Sequence, residues 1–195
     1  MNSCQVALKE WAVVVDALLR GEHVLLLRKG GIMERRGGFQ VEHQSFFLFP
    51  TYLHQNRVDL VDELRERLPE AEVVRSMAQA IVLAAFAKVE SAQWVDDLSV
   101  LQRLDGLHAL SASAVEGRFR YGERPGLWAV LLRVYRSRTP LEIPDRPEYA
   151  GCRSWVPLAE PLPCELSETV LDDAVFLAMS RQALERLRID RQSDS

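Results

Sequence analysis

Cysteine is scarce in this chain and widely spaced, at Cys4, Cys152 and Cys164. An odd number so spread makes no disulfide framework, and without a C-x-x-C pair it makes no structural zinc site. Histidine is equally thin. His23, His43, His54 and His108 show no short metal-binding spacing and no H-E-x-x-H pattern, which argues against a zinc enzyme. Long apolar runs are missing as well: none approaches the ~18–20 residues that span a bilayer. Met1 to Gln5 lack the basic start and apolar segment of a secretory signal, so a cytoplasmic protein with no membrane partner is expected. Positive charge is also short. The 24 Lys and Arg against 28 Asp and Glu leave a net charge of −4, which argues against a chain held to nucleic acid by bulk electrostatics and leaves room for local basic patches. Gly30-Gly31 is followed by no G-K-[ST] and is not a phosphate loop. Lys29 has Leu27 where a nuclease needs an acid, and Cys152 with the distant His54 has no local thiol-enzyme signature.

What is present is ample core material. At 195 residues, 48% hydrophobic and 27% charged, the chain can bury a core without staples. It is expected to form a single α+β domain over residues 1–187, a mainly antiparallel mixed sheet flanked by helices, with 188–195 a frayed C-terminal tail. The stretch from Gly21 to Gln55 holds its most informative residues. Val24-Leu25-Leu26-Leu27 empties into Arg28-Lys29-Gly30-Gly31, and Phe46-Phe47-Leu48-Phe49 into Pro50-Thr51-Tyr52-Leu53-His54-Gln55. Two strands ending in polar residues are the usual way a sheet presents functional groups.

In chain order, the β-branched run Trp11 to Leu19, the turn Arg20-Gly21-Glu22 and the run His23 to Leu27 read as a β-hairpin. Gly30 to Gly38 reads as a mobile loop, either closing over a ligand or forming a solvated tip. Residues 57–68 have helical spacing stopped by Pro69, with Asp59, Asp62 and Glu63 on one face. Those carboxylates could hold a divalent cation, or simply pair with the neighbouring arginines. Ala78 to Val89 reads as a buried strand whose alanines would also allow a helix. Leu98 to Leu110 reads as a strand and a turn, and Ser111 or Ser113 as the cap of a short helix ending near Gly117. Arg118-Phe119-Arg120-Tyr121 alternates basic and aromatic, suiting a pocket edge or a strand with a wet face. Leu127 to Tyr135 is the clearest strand, Thr139 to Pro147 a loop, Cys152 to Leu158 a last strand, and Leu171 to Leu187 an amphipathic helix capped near Ser167 or Thr169.

Ala7 to Trp11, Leu25 to Ile32, Phe47 to Gln55, Leu131 to Tyr135 and Pro147 to Leu158 together resemble a bacterial family known only as a domain of unknown function, number 1802. The resemblance spans nearly the whole chain and implies one domain, but it transfers no activity. The layout of hairpin, glycine-rich loop, acidic helix, late strand and C-terminal helix also looks like that of Nudix hydrolases. It implies magnesium as a cofactor on Asp59, Asp62 and Glu63, although Val58 stands where that family's arginine belongs. Without that likeness no cofactor is expected.

The polar groups at expected strand ends are Arg28, Lys29, Tyr52, His54, Gln55, Arg118, Arg133, Tyr135 and Arg153. Arginine forks match phosphate, lysine adds a point charge, and aromatic rings stack on bases. The set therefore points to a phosphate-bearing small molecule, a nucleotide, or a nucleic acid. The rivals are a degenerate Nudix-like phosphohydrolase and a non-catalytic protein interaction domain, with the arginines merely answering the chain's acids in surface pairs.

Overall fold

Alternating burial along the apolar runs decides the architecture. The structure is a computed structural model describing residues 3–30, 42–52, 55–68, 80–151, 153–164 and 167–188. Its strands are β1 (Ser3–Trp11), β2 (Leu25–Arg28), β3 (Ser45–Thr51), β4 (Ala80–Val95), β5 (Leu127–Pro144), β6 (Trp155–Pro163) and β7 (Ser167–Thr169). The helices are α1 (Ala12–Leu19), α2 (Asp62–Arg65), α3 (Leu98–Gln102), α4 (Ala112–Arg120) and α5 (Asp173–Leu187). Among the described residues the seven strands make one sheet in the order β2-β5-β4-β3-β1-β6, with β7 added to β5. Only β1 and β3 run parallel, so the sheet is mixed and mostly antiparallel, as the composition and patterning lead one to expect.

Period-2 alternation sorts the side chains into two faces. Leu8, Leu26, Phe46, Leu48, Ala85, Ala87, Trp128, Val130 and Leu132 pack with Val14 and Leu18 of α1. The other face is covered in two regions. Leu25, Leu27, Leu127 and Ala129 meet Leu101 of α3, Val115 of α4 and Leu187 of α5, while Ala7, Phe47 and Phe86 meet Val156 and Tyr149. The sheet curls round α1. Arg28 at the end of edge strand β2 donates to the Lys9 carbonyl of β1 at 3.1 Å, although β5, β4 and β3 lie between those strands in the sheet order.

Several elements differ from their sequence pattern. The run after Trp11 is a helix, not the first arm of a hairpin, because β1 uses the preceding residues and α1 is buried inside the curl. Its end is a Schellman motif: Gly21 takes φ 72°, its N–H bonds the Leu18 carbonyl, and the Glu22 N–H bonds that of Ala17. Residues 57–68 do not form one helix. They break at Leu60, which pairs with Leu110, while the Val61 N–H bonds the Ala109 carbonyl. Leu98 starts α3 rather than a strand, since Asp97 caps it by accepting from the Ser99 N–H at 2.8 Å. The segment expected to be a loop at 139–147 instead continues β5 to Pro144. Pro140 falls where the β4 register shifts and Pro144 at the strand's last pair, places where a missing N–H is tolerated. Asp172, not Ser167 or Thr169, caps α5. The glycine-rich segment expected to be a loop lies almost wholly outside the described residues, as does most of the expected C-terminal tail. No helix among the described residues is long and apolar enough to cross a membrane.

Candidate functional site

The ends of β1, β2 and β3 converge on one open cleft of about 220 Å³. Two strands supply its centre by the same rule. Glu10 follows Leu8, and Arg28 follows Leu26, onto the face that wraps α1. They meet as an ion pair of 2.5 Å with each side chain 13% exposed. Arg28 is fully engaged: beyond Glu10 and the Lys9 carbonyl it reaches the Ser154 hydroxyl at 3.2 Å and the Gly30 carbonyl at 3.4 Å. Glu10 is engaged too, its second oxygen accepting from the Trp11 N–H.

Arg118 arrives from the opposite wall. The Ser111 hydroxyl caps α4 by accepting from the Ala114 N–H and donates to the Val58 carbonyl, which fixes the helix against 57–59. Ala114, Val115 and Arg118 then share the inner helical face, so the buried pair at 114 and 115 aims the arginine inward. Its guanidinium lies over the Trp11 ring, 4.9 Å from the centroid. It donates no hydrogen bond within the described residues. Burial lowers its pKa from the ordinary arginine value, the carboxylates of Glu10 and Asp59 oppose that, and Arg28 adds to it. An arginine keeps its charge regardless. The cleft therefore presents a partly desolvated cation whose donors are unspent among the described residues, beside a second cation that is neutralised by Glu10.

The remaining expected site residues are dispersed. Lys29 borders the cleft, but its ammonium turns away and donates to the carbonyls of Phe119, Arg124 and Gly126 at 3.0, 2.6 and 3.0 Å, and burial lowers its pKa. All three of its donors are used, so it is a structural clamp rather than a ligand contact. Gln55 accepts from the Val13 N–H at the start of α1. Tyr52 is half-buried beyond β3, and burial raises the pKa of its hydroxyl. Arg153 is exposed beside Ser154. His54 lies outside the described residues. Arg133 does not belong to the cleft: its parity on β5 sends it to the α5 side, where it is 6% exposed, pairs with Asp173 at 2.6 Å and stacks on Phe176. Tyr135 packs against Phe86 and beneath Lys88, also away from it.

The metal expectation is corrected. Asp59 sits in a 3-10 turn (Arg57–Asp59) and Asp62 and Glu63 in the separate short α2, so no shared helical face exists, and Asp62 pairs with Arg65 at 2.5 Å. Among the described residues no three His, Cys, Asp or Glu side chains gather closely enough to hold a metal ion. Lys9, Glu10, Trp11, Gly30, Thr51 and Ser154 line the cleft beside Arg28, Lys29 and Arg118 and were not among the expected site residues. The phase shared by Leu8–Glu10 and Leu26–Arg28 was a usable signal for Glu10.

Fold and cleft together define a single α+β domain with a cationic cleft at its strand ends. A family model described as "Domain of unknown function (DUF1802)" matches residues 7–182, and the chain belongs to that family. No curated protein matches it. Among solved structures it is similar to ASCH from Zymomonas mobilis, at 13% identity over 92% of this chain and 93% of that one, with a TM-score of 0.45. A point mutant of that protein gives 15% identity, 80% and 88% coverage and a TM-score of 0.47. Likeness at that level says nothing of what this chain does.

Proposed function

We propose that the cleft between β1, β2, β3 and α4 binds a phosphate-bearing ligand, a nucleotide or a segment of nucleic acid. The observation that supports this is Arg118, a half-buried guanidinium with no hydrogen-bond acceptor among the described residues, held in place by Trp11 at the mouth of the cleft. A guanidinium fork of this kind matches two phosphate oxygens. Arg28, neutralised and fixed by Glu10, orients the pocket without competing for the same oxygens. The reading assigns no reaction.

Calorimetric titration with AMP tests it. Arg118→Ala is expected to weaken AMP binding by about 1.5–3 kcal/mol, the range for hydrogen bonds to charged groups. Affinity should also fall as salt rises. Failure of the intact protein to bind AMP, or equal affinity in Arg118→Ala, would overturn the proposal.

A further inference from the structure

We propose that the ligand is a single-stranded nucleic acid, with one phosphate on Arg118 and a neighbouring base stacked on Tyr121. The inference rests on the phosphate reading of the cleft and extends it along the segment that follows α4. Residues 116–126 carry Arg118, Arg120, Arg124 and Tyr121 against the carboxylates Glu116 and Glu123, with Arg120 paired to Glu116 at 2.6 Å, which leaves a local net positive charge in a chain of net charge −4. Tyr121 is 74% exposed. It caps α4 in extended backbone, with its N–H on the Arg118 carbonyl at 3.3 Å, so ring and cleft arginine are fixed within one helical turn of each other.

An isolated exposed ring needs no explanation. This one stands on a loop that is held from three sides. The Gly126 N–H bonds the Phe119 carbonyl at 3.0 Å, closing the segment on itself. Lys29 ties the carbonyls of Phe119, Arg124 and Gly126 to the end of β2. Trp94 lies under the Arg124 guanidinium at 4.7 Å, and against Gly126 so closely that a Cβ there would meet its indole at 2.5 Å. A braced loop presents its aromatic ring at low ordering cost, which suits a stacking platform. Bases in a duplex already stack on their neighbours and offer no free face to an exposed ring. A single strand offers one at every nucleotide.

The test uses the intact protein, a fluorescently labelled oligouridylate and its deoxy counterpart, each about 12 nucleotides long, and a duplex of the same length. The single strands should bind at least about tenfold more tightly than AMP. Tyr121→Ala should lower their affinity about tenfold, while Tyr121→Phe, which keeps the ring, should behave as wild type. Preference for the ribo or the deoxy strand identifies the source, and either result fits. Unchanged oligonucleotide affinity in Tyr121→Ala, or a duplex that binds as tightly as the single strand, overturns this inference. If AMP still binds through Arg118 in that case, the phosphate reading survives. If neither AMP nor oligonucleotide binds, both fall.

Discussion

Arg28 and Glu10 close the sheet at one end, their charged atoms 2.5 Å apart with each side chain only 13% exposed, on strands separated in the sheet by three others. Removing one partner of such a pair strands the other in a poorly solvated site. Arg28→Met should therefore cost about 3 kcal/mol in urea unfolding. Glu10→Gln keeps an acceptor but frees the arginine's charge, so it should lower stability and raise AMP affinity severalfold at low salt. Unaltered stability in both variants would show that the pair does not fasten β2 to β1.

Lys29 should behave as a structural residue. Lys29→Met retains the aliphatic stem but removes the lysine donor from three carbonyls, of which that of Phe119 keeps the Gly126 N–H, and a loss of about 2–4 kcal/mol is expected. Lys29→Arg should not restore it, because a planar fork cannot serve three carbonyls converging on a point. Melting curves within about 0.5 kcal/mol of wild type would return Lys29 to the role of a surface charge, free to meet a ligand.

His108 makes stability depend on pH. It is 2% exposed, its Nδ1 accepts from the Leu110 N–H at 3.2 Å, and its pKa is lowered to about 4, mainly by burial and next by the charge of His23. The pKa of His23 is lowered too, again chiefly by burial. A histidine whose folded pKa lies below its unfolded value stabilises the protein fully above the unfolded pKa. That contribution is lost as pH falls from about 6.5 towards 4. The loss attributable to His108 should reach about 3 kcal/mol across the window. Urea unfolding at a series of pH values measures it, and His108→Gln, which keeps an acceptor for Leu110 but does not titrate, should flatten the slope. An equally steep slope in that variant would assign the effect elsewhere.

Several elements are legible in local chemistry alone. Phe46 to Phe49 and Leu127 to Tyr135 are strands legible as short apolar runs enriched in aromatic and β-branched residues. Ser111 caps α4, and the Leu171 to Leu187 pattern holds α5. The helix α1 is not legible in its valines, since a short apolar run buried on all sides has no period to betray it. Only the Gly21 stop marks it. Residues 57–68 have a helical pattern that pairing with 109–111 overrides.

The sequence by itself determined a single α+β domain, a mostly antiparallel sheet, and a family whose model spans residues 7–182. It also placed Arg28 at a strand end and Arg118 beside an aromatic run, because these follow from residue type and local period. Which cations share a site was decided only by the tertiary structure. Curling of the sheet brings β2 against β1, 18 residues away in sequence, and α4 folds back so that Arg118 covers Trp11. The same packing turns Lys29 to its three carbonyls and buries Arg133 on the far face. Neighbours in the chain have opposite fates because side chains alternate across a strand, while the contacts that employ them come from segments distant in sequence, 18 and 126 residues away for Arg28 and 90 to 97 for Lys29.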